Sequence, residues 1–385
     1  MQTQKLFYED CHLRSFSAKV TACTPAEGGF AVELDRTAFY PEGGGQACDT
    51  GMLGGVKVLS VREKEDRILH LCDGPLGPGQ TVVGQIHWER RFDQMQQHAG
   101  EHIVSGIINA RYGYHNVGFH VGADTVTIDF DGMIPPEALE EIEWAANRVV
   151  WQNLSVRCWY PSREELPGVA YRSKKALPWP VRIVQIPGVD SCACCGIHVE
   201  QTGEIGIVKL LSCVKFHQGV RIEMACGGRA LKFLQKIYEQ NRQVSQAFSA
   251  KVLETGEAAR KMNETLAAEK FRSAALEKQV FDSIAAGFAG AGDVLYFAEA
   301  LTSNGVRELA DRMASQCGGT AAVFSGGDET GYSVCLVNKQ GDVKELGQKM
   351  SSALQGRGGG KPGFFQGSVR APREKIEAFF KEAVK

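Results

Sequence analysis

The chain has 385 residues, enough for two or three domains, and its 43% hydrophobic and 23% charged content is that of a soluble globular protein. The N-terminus lacks the basic and apolar regions of a signal peptide, and no apolar run approaches the ~20 residues needed to cross a bilayer, so a cytoplasmic protein without membrane contact is expected. A net charge of −2 gives no global sign of a nucleic-acid partner, although four basic residues and no acid lie between Ser351 and Arg373.

Residues 1–90 read as short strands. FAVELD, VKVLSV, RILHLC and TVVGQIHW are apolar or alternating runs separated by Gly, Pro and Asp turns, which fits a small antiparallel sheet or barrel. Within this region TAFYPEGGGQACDTG places Gly43, Gly44 and Gly45 beside a lone Gln46. Glycine costs stability where it is not needed, so this run points to close backbone approach by a ligand or by another strand. RRFDQMQQHAGEHIVSGIINARY then has helical periodicity, with Met95, Ile103 and Ile107 on or near one face. DTVTIDF returns to strand alternation, and PPEALEEIEWAANRVVWQN predicts a helix opened by prolines and acids. More short strands run to Ala225.

From Arg229 to about Phe288 proline disappears, and Leu234, Ile237, Asn241, Val244 and Phe248 repeat at heptad spacing with one polar position. A second helical stretch after Gly256 completes an expected two-helix antiparallel hairpin. The remaining segments alternate strand and helix as a small α/β module. The expected fold class is α+β, in four parts: a barrel-like domain (1–90), a metal-binding α+β core (91–228), a helical hairpin or coiled coil (229–288) and a C-terminal α/β domain (289–385).

Two pairs carry the chemistry. His98 and His102 lie four apart on a predicted helix, so both imidazoles share one face. Cys194 and His198 repeat that spacing in SCACCGIH, a Gly- and Cys-rich loop. Three His and one Cys form a normal tetrahedral set for one zinc ion, and a thiolate argues against magnesium or calcium. Cys192 and Cys195 compete with Cys194 for the sulfur position. HAGEH is also the H-x-x-E-H pattern of zinc peptidases, with Glu101 as base, but that reading leaves Cys194 and His198 without a role.

RTAFYPEGGGQACDTG, MQQHAGEH, CCGIHVEQTGEIG and GVRIEMACGGRAL occur in the same order as in the editing domain of alanyl-tRNA synthetases. The chain therefore resembles that domain's free-standing relatives, the alanyl-tRNA editing proteins or AlaX group. LQGRGGGKPGFFQGSV resembles the C-terminal globular domain shared by these synthetases and DHH-type phosphoesterases. The resemblance implies zinc on His98, His102, Cys194 and His198, and an editing pocket lined by Gly43, Gly44, Gly45 and Gln46, with Thr37 nearby. It implies hydrolysis of seryl, and next glycyl, esters of tRNA(Ala). The C-terminal module would grip the tRNA through Arg357 and Lys361 or support a homodimer. GRGGGKP is no Walker A motif, because Gln355 and Pro362 stand where glycine and Ser or Thr belong. With no room before the barrel for an aminoacylation domain, an editor is expected, not a synthetase.

Two departures stand out. The family's C-G-G-T-H is here C-C-G-I-H, so Cys195 replaces a glycine and Ile197 a hydroxyl, which is expected to bear on selectivity. Glu101 occupies a position where small or amide residues are common, as a local base or a supporting carboxylate. A catalytically inactive tRNA-binding or regulatory protein is the alternative. His115 and His120 are expected near the pocket, whereas His12, His70, His87 and His217 have no partner at ligand spacing. The five tryptophans are assigned to the core.

Overall fold

The computed structural model describes residues 2–173 and 177–383. The chain divides into two compact units, one ending at Gln243 and one beginning at Val244. Among the described residues no helix is long and apolar enough to cross a membrane.

The first unit opens with six antiparallel strands: β1 (Ser15–Ala26), β2 (Gly29–Leu34), β3 (Gly51–Leu53), β4 (Val56–Lys64), β5 (Arg67–Cys72) and β6 (Thr81–Ile86). Their order is β1-β2-β5-β4-β3-β6, and β6 pairs back onto β1, Ser15 opposite Gln85, to close the barrel. The closure follows from alternation. Phe16, Ala18 and Val20 of β1 and Val82 and Ile86 of β6 point into one apolar core, and the alternate residues Ser17, Lys19, Val83 and Gln85 face outward.

Helix α1 (Trp88–Tyr112) follows, stopped by Gly113 in the left-handed conformation. Strands β7 (Asn116–Val121) and β8 (Val126–Phe130) precede helix α2 (Ala138–Gln152). Strands β9 (Arg157–Trp159), β10 (Ile183–Ile186) and β11 (Asp190–Ala193) form a three-stranded sheet. Strands β12 (Val208–Phe216) and β13 (Gly219–Cys226) join β8 and β7 in the order β12-β13-β8-β7. Met95, Ala99 and Ile103 of α1, Ile142 and Ala146 of α2, and Ile128 and Ile222 of the four-stranded sheet share a second core.

Arg91 ties α1 to the barrel. It is wholly buried, donates through Nε to Asp49 (3.0 Å) and through Nη1 to the Cys11 carbonyl (3.1 Å), and also reaches the Ala38 carbonyl. Asp49 in turn accepts from the Tyr40 backbone N–H (2.6 Å).

Helix α3 (Gly227–Ala247) and helix α4 (Thr255–Ala286) match the two expected helices. Leu234, Ile237 and Val244, three of the four apolar members of the expected seam, are 37%, 48% and 39% exposed, and the fourth, Phe248, is half-buried. In the second unit, β14 (Gly292–Ala298), α5 (Ser303–Cys317), β15 (Gly318–Gly327), β16 (Gly331–Asn338), α6 (Lys344–Ala353), β17 (Arg357–Lys361), β18 (Phe364–Val369) and α7 (Arg373–Ala383) follow in sequence. They build one sheet in the order β14-β15-β16-β18-β17 with only β14 and β15 parallel. Three tryptophans depart from their expected place in the core: Trp144, Trp151 and Trp179 are 51%, 62% and 48% exposed.

Removing Arg91 strands a buried carboxylate. Arg91→Ala should cost about 3–5 kcal/mol of unfolding free energy, read by denaturant titration; a loss under about 1 kcal/mol would show that Asp49 does not depend on it.

Candidate functional site

Gly43 and Gln46 exchange backbone hydrogen bonds of 3.1 and 3.0 Å, and the two residues between them, Gly44 and Gly45, have φ of +59° and +80°. Two consecutive positive φ values are the requirement of a type I′ hairpin turn, so the glycine run serves this turn first. There is also no room for side chains, because a Cβ on Gly45 would stand 2.5 Å from the Phe119 ring. The turn delivers Gln46 inward, 2% exposed. The Ile197 N–H, which can only donate, lies 3.1 Å from Gln46 Oε1 and so fixes the orientation of the amide. The same oxygen accepts from His98 Nδ1 at 2.9 Å. His98 therefore carries its proton on Nδ1 and keeps the Nε2 lone pair for something else.

His102 is locked in the same way. Its Nδ1–H donates to Asp190 Oδ2 (2.9 Å), and Arg172 holds that carboxylate through Nε (2.7 Å) and Nη2 (2.9 Å). Burial alone would raise Asp190, but the hydrogen bonds from His102 and Arg172 hold its carboxyl below the usual range. His98 Nε2 stands 3.4 Å and His198 Nε2 3.9 Å from Cys194 Sγ. One ligand atom from each of His98, His102, Cys194 and His198 lies within 4.8 Å of the others. Tetrahedral zinc with Zn–N of about 2.0–2.1 Å and Zn–S of about 2.3 Å spaces its ligands about 3.5 Å apart, so the donor set fits. The electrostatics agree with it. Burial pushes the Cys194 thiol up, but the neighbouring imidazoles outweigh it and hold the thiol well below its ordinary value. Burial, with His98 beside it, pushes His198 down to about 3, which leaves a neutral imidazole.

Three of the four donors, His98, His102 and Cys194, line a cavity of about 720 Å³. Gly44, Gly45, His98, Glu101, His102, Cys194 and Cys195 reach its wall, together with Lys5, Tyr8, Tyr160 and Arg182. Arg182 fixes the cysteine loop by donating from Nη1 to the carbonyls of Cys194 (3.0 Å) and Gly196 (2.8 Å).

Other expected site residues fall elsewhere. Thr37 is wholly buried and is not part of the cavity wall. The Val32 carbonyl accepts from His70 Nδ1 (3.0 Å), so the Thr37 hydroxyl donates to His70 Nε2 (2.8 Å) and accepts from the Phe39 N–H (3.1 Å). Its one hydroxyl proton is spent within the barrel, so it has no donor left for a substrate, and His70, without a partner at ligand spacing in the sequence, is hydrogen-bonded there. Gly43 stays in the turn and off the cavity wall. Ile197 is 1% exposed and packs in the second core, so it does not face the cavity where selectivity was expected to change. Cys192 groups with His102 and Asp190, and the four-donor set takes its sulfur from Cys194. Zinc peptidases of that pattern take a carboxylate as third ligand, but among the described residues Cys194 and His198, not a carboxylate, complete the set around His98 and His102. His115 reaches the cavity and His120 sits on β7. Arg357 and Lys361, placed on a loop by the sequence, sit instead at the two ends of the exposed edge strand β17 in the second unit.

Sequence reading missed Asp190 and Arg172. The only hint was an acid two residues before the cysteine cluster. It also missed His12, which meets Glu204 at 2.6 Å and groups with Cys11 and Glu200.

Two stretches match described families: residues 181–223 match the "Threonyl and Alanyl tRNA synthetase second additional domain", and residues 292–385 match the "DHHA1 domain". A Danio rerio protein named "Alanyl-tRNA editing protein Aarsd1" is 30% identical over 97% of this chain and 96% of its own length. The chain belongs to the alanyl-tRNA editing proteins. A Mus musculus family member of the same name is 28% identical over 97% of the chain and 96% of its own length. A Thermofilum pendens "Alanine--tRNA ligase" is 32% identical over 95% of the chain but only 42% of its own length, so the likeness is to part of the ligase.

Asp190→Ala frees the His102 ring and strands Arg172. Affinity for added zinc should fall about 10–100-fold in a chelator competition; unchanged affinity would mean that Asp190 does not orient a ligand.

Proposed function

We propose that the chain hydrolyses the ester that joins a wrong amino acid to the 3′ end of tRNA(Ala), seryl first and glycyl next, in a site containing one zinc ion on His98, His102, Cys194 and His198. The observation that carries this reading is the convergence of three buried imidazoles and a half-buried thiol beside a cavity, in a chain whose relatives are named for alanyl-tRNA editing.

An aminoacyl ester is already activated, so the site has mainly to orient carbonyl and water and exclude other geometries. A zinc ion held on these four residues would supply positive charge to the site. Gln46 and Asp190 act through the ligands: each fixes one imidazole, which makes Gln46 a positioning residue and not a catalytic one. Gly44 and Gly45 leave one wall without side chains, and the half-exposed Tyr160 offers a ring face to the terminal adenine. Thr37 and the Gln46 oxygen are engaged within the protein, so serine's extra hydroxyl is read by other cavity groups or backbone. In the second unit, Arg357 and Lys361 are spaced to share one face of an exposed strand and suit phosphate contacts with the tRNA body.

The test is amino-acid release from seryl-, glycyl- and alanyl-tRNA(Ala) by the full chain and by His102→Ala. Fast serine release that spares alanine and is lost in His102→Ala is expected. No release from any of the three, with zinc bound and tRNA retained, would leave a non-catalytic tRNA-binding protein.

A further inference from the structure

Glu101 lies on α1 between the two histidine ligands, 4% exposed, at the cavity wall. Its Oε1 accepts from the Ser105 hydroxyl (2.5 Å) and from the Asn116 side-chain amide. A carboxylate can only accept, so Asn116 must turn Nδ2 toward it. That orientation leaves Asn116 Oδ1 buried without a partner. Among the described residues no donor reaches the second oxygen of Glu101. No described cation pairs with it either: Arg172, the guanidinium whose charge it feels, is committed to both oxygens of Asp190. Around Glu101 the described residues thus leave acceptors without donors, and a buried carboxylate in that condition favours a cationic partner. Gly118 within β7 and Gly122 just after it add no charge, and His115, just before the strand, is bonded to Asp131 (3.2 Å).

An aminoacyl ester brings one cation, its α-ammonium group, and a charge-assisted hydrogen bond to a carboxylate is among the strongest contacts available to it. Resting on the reading above, we infer that Glu101, steadied by Ser105 and Asn116, binds the free α-ammonium group of the esterified amino acid, so that N-acylated and peptidyl esters are spared. Serine, glycine and alanine share this group. The contact thus fixes which kind of ester enters, and leaves discrimination among side chains to the rest of the cavity.

The experiment pairs two probes with the zinc-loaded full chain. One is a non-hydrolysable 3′-seryl-amido adenosine, with and without an N-acetyl group, titrated by calorimetry. The other is seryl- against N-acetylseryl-tRNA(Ala) in hydrolysis. The free amine should be preferred by about 50-fold in the unmodified chain and by less than about 5-fold in Glu101→Gln. Ser105→Ala, a milder change, should give an intermediate ratio, and the serine-to-alanine ratio should not move in either variant. Equal handling of free and blocked amines by the unmodified chain would overturn the inference. So would a Glu101→Gln effect that lowers both substrates equally, as loss of a general base would, or one confined to the serine-to-alanine ratio. If no ester is hydrolysed but the amide probe keeps its preference, the hydrolytic reading fails and the ammonium site stands.

Discussion

One oxygen atom, Gln46 Oε1, holds three separate segments in register. It accepts from His98 on α1 and from the Ile197 backbone in the cysteine loop, while its own residue hangs from the barrel turn at Gly43–Gln46. That single acceptor decides which nitrogen of His98 carries the proton, and hence which is left to bind a metal. Asp190 does the same for His102 from the opposite flank, with Arg172 bracing it. The tautomers of His98 and His102 are therefore set by protein groups, which is the preorganisation that a precise site requires, whereas His198 Nδ1 is buried without a partner among the described residues.

The surrounding packing serves this arrangement. Gly196 has to be glycine because a Cβ there would stand 2.1 Å from the His98 ring. Neighbouring Ile197 supplies only its backbone N–H to the site and sends its side chain into the core, so a hydroxyl at that position is not needed for the Gln46 contact. Cys195, where the family pattern has glycine, keeps its carbonyl as the acceptor for the hydroxyls of Tyr8 (2.6 Å) and Tyr40 (3.3 Å). The C-C-G-I-H departure thus leaves both the ligands and their supports in place. Arg91, buried with Asp49, keeps α1 against the barrel so that the turn and the helix meet at the required distance.

Much of this was legible in the sequence because period and spacing are local. The four-residue spacing of His98 with His102, and of Cys194 with His198, announced the cluster of donors that the fold brings together, and alternation announced the strands from Val56 to Ile86. The barrel's longest strand, Ser15–Ala26, escaped because Ser, Ala and Lys dilute its alternation and are weak strand formers. Thr37 was misjudged for a different reason: its place in the PEGGGQ stretch is close in sequence to the pocket, but its partner His70 is 33 residues away. Asp190 and Arg172 were invisible for the same reason. Their value comes from what they touch in three dimensions, and neither has a spacing that says so. Exposed Trp144 and Trp151 show the reverse limit, since residue type alone does not decide burial.

The deciding property is the composition of the coordination shell of bound zinc. X-ray absorption at the zinc edge of the purified full chain measures it directly. Three nitrogen scatterers at about 2.0–2.1 Å and one sulfur at about 2.3 Å are predicted. Two sulfur scatterers, which would bring Cys192 or Cys195 into the shell, or a shell of oxygen and nitrogen alone, would contradict it.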